Sequence, residues 1–496
     1  MEKFLVMKGV NKTFGGARAL KDVDFELETG EIHCLVGQNG CGKSTLIKII
    51  AGVLNPDDGT YLEIQGKQVH WGSTTVNQGV SVIYQDLSLF TDLTVAENIA
   101  FHQHLNPFWR PVKWSEIKSV AKKALDQIKV DLDFNCVVDK LTIADRQLVA
   151  IARALATDAK LLIMDEPTSS LTRNEVDILF DVVKGLQEKG LTVLFVSHKS
   201  DEILEIAQRI TVLRDGVNMG TYVNTEIDDD KLAFLITGQN ITHRRRHSEP
   251  DTDKILLEIE NLSCTGQYEN VSLKLHRGEV LGITGLLGAG RTELALSLFG
   301  MNPPSEGRVR VRGTEVKLRS NREALLHKIA YLPEDRLLQG LVTEQSVESN
   351  ISLTVIKKLL RRVRLINTKK RRELTNKWIK QLNIKSAVPG INASAMSGGN
   401  QQKIVISKWL ATEPNILILD QPTNGVDVAA KSAIYDIIQE LAQQGIGIIL
   451  ISDEVPEIYN NCTRTLIMHK GKIRREVITS EITQEELNID VYQPTK

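Results

Sequence analysis

The sequence predicts an α/β fold built twice in tandem, each copy a mixed β-core with a helical subdomain. Two observations carry that prediction. Short apolar runs alternate with longer amphipathic stretches along the 496 residues, as strands and helices do in α/β proteins. The chain also repeats its most distinctive segments. Gly37-Gln38-Asn39-Gly40-Cys41-Gly42-Lys43-Ser44 returns as Gly285-Leu286-Leu287-Gly288-Ala289-Gly290-Arg291-Thr292, 248 residues on. Leu162-Ile163-Met164-Asp165-Glu166-Pro167 returns as Leu417-Ile418-Leu419-Asp420-Gln421-Pro422, 255 residues on. Spacing this nearly constant indicates a duplicated domain.

Composition narrows the function classes. Apolar and charged fractions of 42% and 25% are those of an ordinary globular protein. A formal net charge of −1 gives no general attraction to nucleic acid or an anionic membrane. Cys34, Cys41, Cys136, Cys264 and Cys462 form no CxxC pair, so reduced thiols are expected, with no disulfide framework and no metal cluster. The first residues lack the apolar core of a signal peptide. No stretch approaches the roughly 18 consecutive apolar residues needed to cross a bilayer.

In the first half, Ile32 to Val36, Leu161 to Met164 and Val193 to Val196 read as buried parallel strands. Lys43 to Ala51 reads as the helix after the glycine loop. Trp114 to Ile128 alternates charged and apolar positions at helical spacing, which suits a helical insert. The polar stretch His243 to Lys254, with Pro250, is the expected linker. The boundaries that follow are 1–240, a linker at 241–254, and 255–492. The basic run from Lys357 through Arg372 reads as a charged helix face in the second insert, with contact to lipid headgroups or an acidic partner surface as the sharper alternative.

A glycine-rich turn between a strand and a helix lets backbone N–H groups approach phosphate oxygens, and the helix dipole favours the anion. Gly37, Gln38, Asn39, Gly40, Cys41, Gly42, Lys43, Ser44 and Thr45 are therefore candidate nucleotide-binding residues. Lys43 brings charge to the phosphates, and the Ser44 hydroxyl suits Mg²⁺. Asp165, ending an apolar strand, makes physical sense facing a cation, and Glu166 can polarise an attacking water.

These segments together resemble the ATPases of ABC transporters, a family of P-loop NTPases, over both halves almost end to end. The resemblance implies two ABC cassettes that bind ATP and Mg²⁺. It implies that Phe14 stacks on adenine, that Gln85 lies in a loop facing the permease and joins Ser44 and Asp165 at the metal, and that His198 senses the γ-phosphate. Ser169-Ser170-Leu171 falls where the family has its inter-cassette contact loop. The family signature, usually leucine-serine-glycine-glycine-glutamine, is damaged in the first half, which reads Leu141-Thr142-Ile143-Ala144-Asp145. In the second half it survives as Ser397-Gly398-Gly399-Asn400-Gln401. There the other motifs have changed: Gly285, Gly288 and Gly290 remain, but Arg291 replaces lysine before Thr292. Gln421 replaces the catalytic glutamate, Asp453 the switch histidine and Glu334 the loop glutamine.

Cassettes of this family pair head to tail, each ATP lying between one glycine loop and the other cassette's signature. The resemblance thus implies one hydrolytic site, with Lys43, Gln85, Glu166 and His198 as its catalytic residues, completed by Ser397, Gly398 and Gly399. The second site is degenerate. Arg291-Thr292-Glu293, Pro333-Glu334-Asp335-Arg336 and the run Ser397 to Lys403 resemble the fused ATPases of ribose/galactose/xylose-type sugar importers. The expected function is ATP hydrolysis energising monosaccharide import through separate permease subunits, fed by an extracytoplasmic sugar-binding protein. The expected place is the cytoplasmic face of the inner membrane. Gln421 and the weakened first signature depart from that subfamily's pattern. A ribosome-acting tandem-ABC translation factor is the rival reading, which the short linker and Gln421 disfavour.

Overall fold

The computed structural model describes residues 2–15, 17–38, 40–69, 79–101, 113–168, 171, 173–197, 199–238, 250–286, 288–361, 365–385 and 388–492. The chain divides into two compact units, Met1–Ile241 and Thr242–Lys496.

In the first unit a six-stranded sheet runs in the order Val217–Val223, Arg209–Arg214, Ile32–Gly37, Thr192–Val196, Leu161–Asp165, Val80–Ile83. Only the Val217–Val223 strand is antiparallel to its neighbour. Ile32–Gly37 lies at the centre with every residue buried, which explains its continuous apolar reading. Alternate residues feed two cores. Cys34, Val36, Leu162 and Met164 face the helical side, while Leu35, Leu161 and Ile163 face a four-stranded antiparallel sheet that includes Lys3–Phe14 and Ala17–Glu28. On the helical side, Trp114–Ile128 buries Ile117, Ala121, Ala124, Leu125 and Ile128, one face at helical spacing.

The second unit repeats this plan. Its six-stranded sheet runs Lys472–Ile478, Arg464–His469, Val280–Gly285, Gly447–Ile451, Ile416–Asp420, Ile329–Leu332, the same order strand for strand. The four-stranded sheet again packs on one face and the helices on the other. One expectation needs correcting at its edge. The strand Asp251–Cys264 begins inside the stretch assigned to the linker, pairing Asp251 with Arg277. This end of the strand is largely solvent-facing, so its residues are polar and lack the apolar alternation that would mark a strand. Residues 239–249 lie outside the described residues.

Candidate functional site

The first glycine loop leaves a fully buried strand and enters the helix Lys43–Ile50. Gly37 is required by crowding: a Cβ there would stand 2.2 Å from the Leu213 carbonyl oxygen. The loop wraps around Lys43, which is 7% exposed and donates from Nζ to the carbonyls of Gly37 (2.6 Å) and Gln38 (3.1 Å). Ser44 is exposed at the helix start and Thr45 half-buried behind it. Gln38 is anchored through Nε2 to the Ile236 carbonyl at 3.3 Å. Cys41 is buried, and burial pushes its thiol pKa up, as expected of a packing residue rather than a nucleophile. Asn39 and His198 lie outside the described residues, as do Ser169 and Ser170.

Asp165 closes its strand beside the loop. Burial and the Glu166 carboxylate raise its pKa, while Lys43 and Lys48 hold it down. Glu166 takes a left-handed backbone, φ 49°, with its N–H bonded to the Val196 carbonyl at 2.9 Å. Gln85 is exposed just beyond the strand Val80–Ile83. Phe14 is 47% exposed at the end of the strand Lys3–Phe14, with the Lys12 ammonium 5.7 Å from its ring centroid. The cradle of positive-φ glycines around a buried lysine, with a hydroxyl and a carboxylate beside it, fits a nucleotide phosphate and a divalent cation.

The second unit keeps the backbone of this site and changes its charges. Gly285 again approaches a carbonyl, here of Met468, to 2.2 Å for a Cβ. Gly288 and Gly290 keep positive φ, and Gly290 caps the helix Arg291–Leu298. Arg291 is 6% exposed, yet its Nη1 is buried without a hydrogen-bond partner. The planar guanidinium does not curl into the loop as Lys43 does. Asp420 is fully buried and accepts from the Tyr331 hydroxyl at 3.1 Å through Oδ2, while its Oδ1 is buried without a hydrogen-bond partner. Burial raises its pKa despite that bond. The Glu334 pKa is raised by burial and then by the carboxylates of Asp420 and Asp453, with Arg291 opposing. Two anionic side chains thus stand where the first cassette has a neutral glutamine and a histidine, and a triphosphate would meet their repulsion. Gln421 keeps the left-handed backbone of Glu166, φ 44°, and the same N–H bond, here to Ile451 at 2.9 Å.

The two signature segments differ as sharply. Ser397 begins the helix Gly398–Leu410 without capping it, and its hydroxyl accepts from Asn400 Nδ2 at 3.0 Å. The hydroxyl hydrogen remains available to another acceptor. In the first unit Thr142 caps its own helix, Ile143–Leu155: its hydroxyl accepts from the Asp145 N–H at 3.1 Å and donates to Asp145 Oδ2 at 2.8 Å. Both capacities of that hydroxyl are spent within the turn, next to an anion.

Sequence reasoning missed a buried pair of carboxylates. Glu202 accepts from Thr168 (2.5 Å) and Ser197 (2.9 Å), joining the turn after Asp165-Glu166 to the residue before His198. Glu457 does the same for Thr423 (3.2 Å) and Ser452 (2.6 Å), and burial pushes its pKa up to about 7. Each lies four residues after its switch position, a repeat that comparison of the two halves would have exposed.

The sequence pattern of the ABC transporter family matches residues 20–169 and 268–424. The chain belongs to that family, and its two units are ABC cassettes of the α/β class. Proteins similar to it include the ribose import ATP-binding protein RbsA of Caldanaerobacter subterraneus, 39% identical over 98% of both chains. A putative ribose/galactose/methyl galactoside import ATP-binding protein of Agrobacterium fabrum is 41% identical over 97% of this chain and 96% of its own. Among solved structures, the ADP conformation of MJ1267, an ATP-binding cassette of an ABC transporter, matches 48% of this chain and all of that chain at 25% identity, with a TM-score of 0.44. The rival reading as a translation factor gains no support from these relatives.

Proposed function

We propose that the chain is the ATPase subunit that energises import of a monosaccharide through a separate membrane permease, with hydrolysis confined to the site built on Lys43, Asp165 and Glu166. The observation that carries the confinement is the paired left-handed turn: Glu166 and Gln421 share one backbone geometry, and only the first bears a group able to accept a proton. Import of a sugar rests on similarity, over nearly the whole length of both chains, to ribose and galactose import ATP-binding proteins. Among the described residues no helix is long and apolar enough to cross a membrane, consistent with spanning by other subunits at whose cytoplasmic face this chain docks.

In this reading the Lys43 ammonium and the loop N–H groups hold the phosphates, and Phe14 stacks on the base. Ser44, Gln85 and Asp165 would hold Mg²⁺, which when bound offsets the charge gathering on the phosphate oxygens. Glu166 orients a water and takes its proton, and His198 contacts the terminal phosphate. The uncommitted hydroxyl of Ser397, with the N–H groups of Gly398 and Gly399, completes this site. The site of Arg291, Asp420 and Gln421 does not turn over. An extracytoplasmic sugar-binding protein delivers the cargo to the permease.

The test is ATP turnover and uptake of labelled monosaccharides in cells lacking the chain, complemented with wild type or Glu166→Gln. Turnover should fall about 10²- to 10⁴-fold while ATP binding persists, and one sugar's uptake should return only with wild type. Full turnover by Glu166→Gln would overturn the assignment.

A further inference from the structure

In the second cassette one side chain meets three segments that the proposed function treats separately. The strand Ile329–Leu332 leads to Glu334, and the chain then makes a single π-turn, Arg336–Gly340. Asp335 caps that turn, its Oδ1 accepting from the N–H groups of Leu337 and Leu338 at 2.9 Å each. Such turns are uncommon and tend to mark functional positions. Arg336 points back from it. Nη1 donates to the Asn424 carbonyl at 2.6 Å and Nη2 to the Gly425 carbonyl at 3.1 Å. These two residues form the turn that follows Asp420-Gln421-Pro422-Thr423. The same guanidinium lies under the signature: a Cβ on Gly398 would stand 2.9 Å from Arg336 Nη2 and 3.2 Å from the Gly425 oxygen. A side chain at Gly398 would press on this guanidinium and on the Gly425 carbonyl.

Among the described residues the first cassette shows no counterpart. Leu87 occupies the equivalent position after Gln85, and its carbonyl is held instead by Arg153, near the end of the signature helix, at 3.0 Å. Arg153 also holds the Ser88 carbonyl, at 2.7 Å. Lys408 is the equivalent of Arg153 in the second cassette and binds the Gly340 carbonyl at 2.5 Å. The loop of the second cassette is therefore clamped twice, and the added clamp reaches the signature that is intact. Arg336 Nε is buried without a hydrogen-bond partner, a cost the molecule bears where a leucine would serve for packing alone.

We propose that Arg336 is a positioning residue: held by the Asn424 and Gly425 carbonyls, it fixes the signature turn at Ser397-Gly398 relative to the loop that carries Glu334. This rests on the reading that Ser397 and Gly398 contact the ATP that is hydrolysed. A shift of the Glu334 loop then moves the signature with it, and the permease-facing loop of the cassette that does not hydrolyse controls the site that does.

The experiment measures turnover against ATP concentration for the full-length chain carrying Arg336→Ala, Arg336→Gln, Arg336→Lys, Ser397→Ala, and Arg336→Ala with Ser397→Ala. Thermal unfolding of each identifies the variants that remain folded. Removing the guanidinium that underlies the signature, with its two charge-assisted hydrogen bonds to the Asn424 and Gly425 carbonyls, should raise KM for ATP about tenfold with kcat far less affected. Lysine, which can reach one carbonyl, should restore part of the loss. The double variant should be no worse than Ser397→Ala, because both act through one contact. Wild-type KM in folded Arg336→Ala and Arg336→Gln, or multiplied effects in the double variant, would overturn the assignment of Arg336. A silent Ser397→Ala would instead overturn the proposed function on which it depends.

Discussion

At residue scale the two nucleotide sites differ by charge and proton-accepting ability on a shared backbone. Lys43 and Arg291 are equally buried, at 7% and 6% exposed, but only the ammonium finds the loop carbonyls. Gln421 repeats the turn of Glu166 without its carboxylate. Restoring that carboxylate alone should achieve little. Gln421→Glu is expected to change kcat less than about twofold, because the anionic Glu334 and Asp453 and the orphaned Arg291 remain. A steady-state ATPase assay with Glu166→Gln as background decides it: turnover recovered in the double variant would show that the second site is merely idle.

At the scale of elements, the two signature helices predict opposite responses to the loss of one hydroxyl. Thr142→Ala removes an N-cap and should cost about 1 kcal/mol of stability, read by urea denaturation, while leaving KM for ATP unchanged. Ser397→Ala, where the hydroxyl does not cap the helix, should do the reverse. A rise in KM for Thr142→Ala would mean that its hydroxyl is presented to ligand after all. The far end of the second helix carries a pH signature. Lys408 is 6% exposed, and burial pushes its pKa down to about 8. Between about pH 8 and its ordinary value near 10.5 the unfolded chain binds the extra proton, so stability from this group rises with pH through that window. It is lost as pH falls through 8. Lys408→Met should flatten the rise, worth on the order of 3 kcal/mol, in denaturant midpoints measured from pH 7.5 to 10.

The strands and glycine loops were legible because buried parallel strands are continuous apolar runs and a phosphate loop must put glycines where a side chain would collide. The helix Trp114–Ile128 was legible from its apolar stripe. What the sequence concealed was tertiary satisfaction of polar groups. Glu202 and Glu457 are buried by contacts 34 residues away in the chain, and nothing local to Arg336 announces that it will bind carbonyls 88 and 89 residues distant. The start of the strand Asp251–Cys264 was concealed differently, since its solvent-facing residues give no apolar alternation to read.

At the scale of the molecule, each unit has its own pair of cores and its own complete sheet order. Met1–Ile241 and Thr242–Lys496 expressed separately should each unfold cooperatively on heating. Neither alone should hydrolyse ATP above a few per cent of the full chain, and mixing should recover part of the activity. Full turnover by the first fragment alone would contradict a site that needs Ser397. Two units in one chain have a consequence for the cell. A bacterium making unlike halves from separate genes would have to match their expression, and on the proposed pairing any excess of either half would lack the partner that completes its site. Covalent fusion sets the stoichiometry at one to one at the moment of synthesis, so every copy translated carries one glycine loop with its lysine and one signature with its serine.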